Sequence, residues 1–271
     1  MKRPYDDAIA AHYKGVAEAE GLGATSTMAD HVVRDRETRA ILDFVAAASA
    51  KAGKGVSIVD IGCGNGFTLQ AIAERFPECT LTGLEPSADL RALAQSRFTG
   101  KKAEVRDGDV RDASSIPAGA DIYFCQRVLI NVLDPADQVR ALDNILSRVP
   151  DGAALLFIES FTAPLERLNI ARAEFDLPPI PPAHHNLYLP EDFFDRSELA
   201  PFESRNWNWP VNFLSTHYFV SRVLHPVMLG ERPFKRNSEF TKFFSAALPP
   251  FVGDYAQIRL NAFVKPAPSN A

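Results

Sequence analysis

The stretch Ser57-Ile58-Val59-Asp60-Ile61-Gly62-Cys63-Gly64-Asn65-Gly66-Phe67 constrains the fold of this chain more than any other. An apolar, β-branched run stops at Gly62, further glycines follow at Gly64 and Gly66, and residues 67–73 resume with helical spacing. A strand, a tight glycine turn and a helix N-terminus together bring backbone N–H groups against a ligand. A strand this apolar reads as covered on both faces, and therefore as part of a parallel sheet.

The rest of the sequence alternates around that stretch. Ile9, Tyr13 and Val16 predict a helix over residues 6–20, a Gly-containing connector follows at 21–26, and Val32, Ile41 and Phe44 predict a helix over about 29–50. Strands are predicted at 56–61, 80–84, 102–105, 121–125 and 153–159, with helices at 67–76, 88–98 and 135–149 between them. Beyond Glu159 the rhythm changes. Residues 161–189 are Pro-rich, 190–199 predict a helix, 203–209 a sixth strand, 211–256 aromatic-rich helices and 258–264 a last strand. The expected fold is α/β, a doubly wound, mainly parallel sheet of seven strands with helices on both faces. One domain is expected over 1–271: N-terminal helices at 1–50, a ligand-binding core at 55–160, and insertions at 161–189 and 211–256 that fold over the site as a lid. Ligands of such sheets sit beyond the C-terminal strand ends at the switch point. Gly62, Glu85, Asp109 and Gln126 all fall just past such ends.

With 271 residues, 46% of them hydrophobic, the chain can bury a full core. Its formal net charge of -5 gives no general attraction to phosphate backbones, so nucleic acid is not an expected partner. Pro4-Tyr5-Asp6-Asp7 follows Met1-Lys2-Arg3 where a signal peptide would carry an apolar run, and no apolar stretch is long enough to span a bilayer. A cytoplasmic monomer or homodimer without membrane contact is expected. Cys63, Cys79 and Cys125 have no metal-ligand spacing and read as reduced, buried thiols. No His/Cys cluster suited to a metal stands out in the sequence, so no metal is expected.

A nicotinamide dinucleotide fingerprint needs a late third glycine, where this chain has Phe67, and no Gly-Lys-Ser/Thr follows to make a P-loop. Glu85 can accept hydrogen bonds from two ribose hydroxyls, which suits either adenosine cofactor. In combination, Val59-Asp60-Ile61-Gly62-Cys63-Gly64-Asn65-Gly66, Glu85 and the Gly108-Asp109 pair resemble the class I S-adenosylmethionine-dependent methyltransferases, whose sheet is Rossmann-like. The resemblance covers residues 55–160 and implies a cofactor site of Arg34, Asp60, Gly62, Cys63, Gly64, Glu85, Pro86, Asp109, Val110, Gln126 and Arg127. In it Glu85 is the ribose acid, Asp109 faces the adenine amino group and Val110 lies beside the ring. Residues 24–37 and 126–132 are similar to the small-molecule branch of the family, where an Arg-x-x-Glu helix approaches the cofactor carboxylate. Arg34 is then a candidate for that role, beside its plainer reading as an ion pair with Glu37.

The sequence departs from that family where Gln126-Arg127-Val128-Leu129 replaces an Asn-Pro-Pro-aromatic tetrad, which disfavours base and glutamine amides as substrates. The sulfonium carries its own leaving group, so the protein's task is alignment and exclusion of water. An oxygen acceptor also needs a base near neutral pKa. His184-His185-Asn186-Leu187-Tyr188 is similar to a His-Asn-x-Tyr stretch in methyltransferases of saccharide and natural-product pathways. This implies His185 as general base, with Tyr13, Asn131, Asn186, Tyr188 and Arg127 at a small-molecule acceptor, and it stands against a polar loop with one packed imidazole. Arg172 reads either as a partner for an acidic acceptor or as a surface helix residue. Trp207, Trp209, Phe213, His217 and Tyr218 read mainly as packing under the lid. The expected reaction is O-methylation of a sugar or natural-product intermediate, leaving S-adenosylhomocysteine. The alternatives are methylation of a small amine, a silent cofactor-binding subunit, and a dinucleotide-dependent oxidoreductase.

Overall fold

Two helices, α1 (Asp6–Glu20) and α2 (His31–Ala52), lead into a sheet whose first strand, β1 (Ser57–Ile61), ends at the glycine turn. The computed structural model describes residues 3–24, 26, 28–52, 55–98 and 103–267. After the turn come α3 (Phe67–Arg75), β2 (Thr80–Leu84), α4 (Ala88–Arg97), β3 (Ala103–Arg106), β4 (Ile122–Gln126), α5 (Pro135–Arg148) and β5 (Ala154–Ser160). Helix starts follow local chemistry. Ser87 caps α4 by accepting from the Leu90 amide at 3.5 Å, and Asp134 caps α5 by accepting from Asp137 N at 2.9 Å, with Pro135 in the first turn. The expected strand over 102–105 is β3; Lys102, like Thr25 in the connector, lies outside the described residues.

The seven strands run in the order β3-β2-β1-β4-β5-β7-β6, parallel except for β7 (Ile258–Val264), which pairs antiparallel to both β5 and β6 (Ala200–Pro201). Strand order reverses between β1 and β4, which creates the crevice at their C-terminal ends. Both faces are covered. Ile58, Leu81, Phe124 and Leu156 point to the side packed by α2 and α6 (Thr162–Ala173), while Val59, Leu84, Tyr123 and Leu155 point to the side packed by α5. Each of the buried aliphatic side chains among these contributes about 2 kcal/mol.

Two predicted elements differ. Residues 190–199 form successive turns rather than a helix, with Phe193 N bonded to Pro190 O and Asp195 N to Asp192 O. Phe193 and Phe194 are both buried, and Phe194 packs on Phe157, Phe161 and Phe263, so two adjacent side chains must be anchored at once. The sixth strand is Ala200–Pro201, not 203–209. Its Pro201 lacks an amide donor, as suits an edge strand, and the chain then turns to pack Phe202 and Trp207 against Phe44.

The segment 211–256 is helical as expected: α7 (Ser215–Phe219), a π-turn (Val220–Leu224), α8 (His225–Leu229) and α9 (Glu239–Ala247). Among the described residues no helix is long and apolar enough to cross a membrane.

Candidate active site

The glycine turn is fastened to the second strand. Gly62 N and Cys63 N donate to Leu84 O at 2.8 and 2.9 Å. Gly62 has φ +77°, and a Cβ there would stand 2.4 Å from Val128 Cγ2, so only glycine fits between the turn and the loop after β4. Glu85, one residue past β2, accepts from Gly64 N at 2.9 Å with one oxygen and from Ser87 N at 2.8 Å with the other. Burial outweighs these two bonds and pushes its carboxyl up to about 7. Asn65 bonds backward as well, donating to Gly21 O and Gly23 O at 2.9 and 3.0 Å, which ties the N-terminal connector to the turn.

Past β4 the backbone is held in an unusual form. Arg127 has φ +58° and the amides of Val128, Leu129 and Ile130 converge on the fully buried Glu159 at 2.8, 3.0 and 3.3 Å. A non-glycine residue in the left-handed region is a strained feature that packing must hold. Here Glu159 holds it, although burial pushes its carboxyl up to about 7. The Arg127 guanidinium binds both carboxylate oxygens of Glu37 on α2, and Gln126 Nε2 donates to the same carboxylate at 2.8 Å. Thr68 in turn donates to Gln126 Oε1 at 3.1 Å.

Arg34, one turn before Glu37, is buried in this cluster and stacks over the Phe67 ring at 5.7 Å. Burial and the neighbouring Arg127 push its guanidinium down to about 10, while Glu37 and Asp60 pull the other way.

These groups surround a cavity of about 960 Å³. Of the residues expected at the cofactor, Arg34, Gly62, Cys63, Gly64, Glu85, Pro86, Asp109, Val110, Gln126 and Arg127 line it. Asp60 does not. It lies 2% exposed within β1, where burial and Glu85 hold its carboxyl well above the ordinary range, so it supports the wall from behind. Asp109 reaches the wall already engaged, accepting from Arg111 Nη2 at 2.5 Å, and Arg111 also binds Asp6 of α1 at 2.7 Å.

Tyr13, Asn131, His185, Asn186 and Tyr188 also line the cavity. Asn131 is their joint: it accepts from Tyr13 Oη and donates to His185 O at 3.2 Å and to Asn186 Oδ1 at 2.8 Å. His185 faces the cavity, but it is not a base near neutral pKa. Burial, then His12 and His184, push it down to about 4. Arg172 is not in the cavity; its buried guanidinium donates to Pro178 O at 2.9 Å and to Arg222 O, bracing the Pro-rich segment. Of the aromatics expected under the lid, Tyr218 lines the cavity, and His217 is buried between Asp30 and Ser245 at 2.9 and 2.7 Å.

Sequence reasoning missed several members. Glu159, Arg111, Arg222 and His12 carry no local pattern, because their partners come from distant segments. His12 is the clearest case. Its ring stacks on His185 with centroids 3.8 Å apart, and one nitrogen from each of His12, His184 and His185 lies within 4.8 Å of the others. The expectation that no His cluster suits a metal is therefore corrected, since α1 supplies the third imidazole.

Comparison with known proteins agrees with this geometry. Residues 58–152, which carry the glycine turn, Glu85, Asp109 and Gln126, match a family model described as a methyltransferase domain. The ubiquinone biosynthesis O-methyltransferase of Xanthomonas campestris pv. campestris is 30% identical over 160 residues, 59% of this chain and 64% of that protein. The mitomycin biosynthesis 6-O-methyltransferase of Streptomyces lavendulae is 34% identical over 127 residues, 46% of this chain and 33% of that protein. The chain thus spans less than two thirds of these relatives. One chain of the Haloferax volcanii complex containing the Trm112 methyltransferase activator shares the fold, with a TM-score of 0.50 at 14% identity over 98% of this chain and 97% of that one.

Proposed function

We propose that this protein transfers a methyl group from S-adenosylmethionine to an oxygen of a small-molecule acceptor. The observation that carries the reading is Glu85. Its two oxygens, each held by one backbone amide, stand on the cavity wall directly beside the glycine turn. Each oxygen keeps a lone pair, and two such acceptors side by side suit the vicinal hydroxyls of a ribose. Gly62 and Gly64 leave room for the methionyl portion, Val110 and Asp109 flank the adenine, and Arg34 faces the carboxylate.

The cofactor supplies an electrophilic methyl on a sulfonium. The chain's residues then orient the acceptor, exclude water and take one proton. Tyr13, Asn131, Asn186 and Tyr188 hold the acceptor in line. As the C–O bond forms and the C–S bond breaks, the acceptor hydroxyl becomes strongly acidic, so an uncharged His185 accepts its proton despite the low pKa. The segments 161–189 and 211–256 serve as the lid, contributing His185, Tyr188, Tyr218 and Arg222 to the wall. An oxygen acceptor is favoured over an amine by the names of the two relatives.

Mass-spectrometric detection of a product 14 mass units heavier, across phenols, sugars, hydroxy acids and amines, tests the reading. An oxygen-methylated product with stoichiometric S-adenosylhomocysteine supports it, and His185→Ala should lose turnover while still binding cofactor. Methylation confined to the amines, or full turnover in His185→Ala, overturns the corresponding part.

A further inference from the structure

Three imidazoles meet beside the cavity, drawn from α1 and from the segment before Tyr188. His12 and His185 stack nearly parallel, with an interplanar angle of 18°. His184 stands edge-on to both, 5.6 Å from His12 and 4.9 Å from His185 between centroids. One ring nitrogen from each comes within 4.8 Å of the other two, and Nδ1 of His185 is buried with no hydrogen-bond partner. A buried nitrogen left unpaired has lost its bond to water and gains whatever donor or cation binds it.

We propose that His12, His184 and His185 form a binding site for a borderline divalent cation of the Zn²⁺ class, bordering the cavity. The donor set selects the metal. Three neutral nitrogens and no carboxylate suit Zn²⁺, Co²⁺, Ni²⁺ or Cu²⁺ and do not suit Mg²⁺ or Ca²⁺, which take oxygen ligands. Tetrahedral coordination at 2.0–2.1 Å places ligand nitrogens about 3.3 Å apart. The nitrogens therefore close by at most about 1.5 Å, which rotation of the imidazoles about their side-chain bonds supplies.

Two of the three ligands are already positioned. His185 is held through its carbonyl by Asn131, and Tyr13, next to His12 in α1, donates to the same Asn131. Positioned ligands raise affinity, because less ordering remains to be done on binding.

Three protein ligands leave a fourth position open, the pattern of catalytic rather than structural zinc. His12 and His185 line the cavity, so that position borders the space assigned to the acceptor. This part of the inference rests on the methyl-transfer reading; cation binding does not. An acceptor hydroxyl bound there releases its proton to solvent, the oxygen attacks the methyl, and the C–S electron pair leaves with the thioether. The cation then takes over the task that His185 performs in the metal-free chain.

The test uses the full chain, freed of any affinity tag and stripped with a chelator, titrated with Co²⁺ and then Zn²⁺. The expected result is one equivalent of Co²⁺ with the visible absorption of a tetrahedral site, displaced by Zn²⁺, and no competition from Mg²⁺. His12→Ala, His184→Ala and His185→Ala should each weaken Co²⁺ at least about tenfold with Tm retained. Should one variant fail to fold, the other two and the conservative His12→Gln and His184→Gln still decide. Co²⁺ binding that is absent, or that survives unchanged in these variants, overturns the site. Calorimetry with S-adenosylmethionine on the same samples separates the two proposals. Cofactor binding without cation binding ends this inference alone, and cation binding without cofactor binding ends the methyl-transfer reading, and with it the role at the acceptor, while the cation site stands.

Discussion

Glu37 on α2 and Arg127 after β4 form a buried ion pair, with Glu37 fully buried and the Arg127 side chain 12% exposed. The pair joins the N-terminal helices to the strand end that carries Gln126. Removing one partner of such a pair strands the other charge, at a cost of about 3–5 kcal/mol. Glu37→Ala should therefore lose stability on that scale in urea unfolding and weaken cofactor binding. Glu37→Leu combined with Arg127→Met should recover much of the stability and little of the binding. A Glu37→Ala protein as stable as the parent contradicts this role.

Cofactor affinity should depend on pH through Glu85. Its carboxyl sits at about 7 in the free protein because burial disfavours the charge, and the ionised form is the one that accepts both hydroxyls. Between pH 6 and pH 8 the ionised fraction rises about tenfold, and affinity should rise with it by nearly that factor. Calorimetry at the two pH values measures this, and Glu85→Gln should bind weakly with a flat profile. Affinity falling over this interval has the wrong sign for the account.

The glycine turn should not tolerate a side chain at its first position. Gly62→Ala combines a left-handed backbone with a Cβ driven into Val128, and about 2 kcal/mol or more of stability should be lost. Pairing it with Val128→Ala should relieve the steric part only. A fully stable Gly62→Ala rules out the close approach.

Acid should weaken the protein through Asp30. Burial alone raises its carboxyl, but the bond and charge of His217, with Arg222 and the Val33 amide, hold it at about 2. A carboxylate depressed in the folded state contributes stability that is present above its unfolded value and lost as pH falls toward the folded one. About 2 kcal/mol should therefore disappear between roughly pH 4 and pH 2, less in Asp30→Asn. Unfolding midpoints across that range show it, and identical acid profiles for the two proteins refute it.

The sequence made the sheet legible because β1, β4 and β5 are short apolar runs bounded by turns, and Gly62, Glu85, Asp109 and Gln126 lie at or just past strand ends where period and punctuation coincide. What it concealed depends on long-range pairing. Nothing local places Glu159 under three amides of the loop after β4, or Arg111 between Asp109 and Asp6. His185 looked like a near-neutral base, and only its burial in the fold, with His12 and His184 packed beside it, shows why its pKa is low. Residues 190–199 misled for a related reason: their apolar spacing reads as helical, while adjacent Phe193 and Phe194 are both anchored in the core.

Calorimetric titration of the full chain with S-adenosylmethionine, S-adenosylhomocysteine and NADH decides which cofactor the glycine turn and Glu85 hold. One site should take both adenosyl sulfur compounds, ignore NADH, and be weakened at least about tenfold by Glu85→Ala, the loss of two charge-assisted hydrogen bonds. Binding of NADH in place of the adenosyl compounds, or S-adenosylmethionine binding untouched by Glu85→Ala, contradicts this assignment.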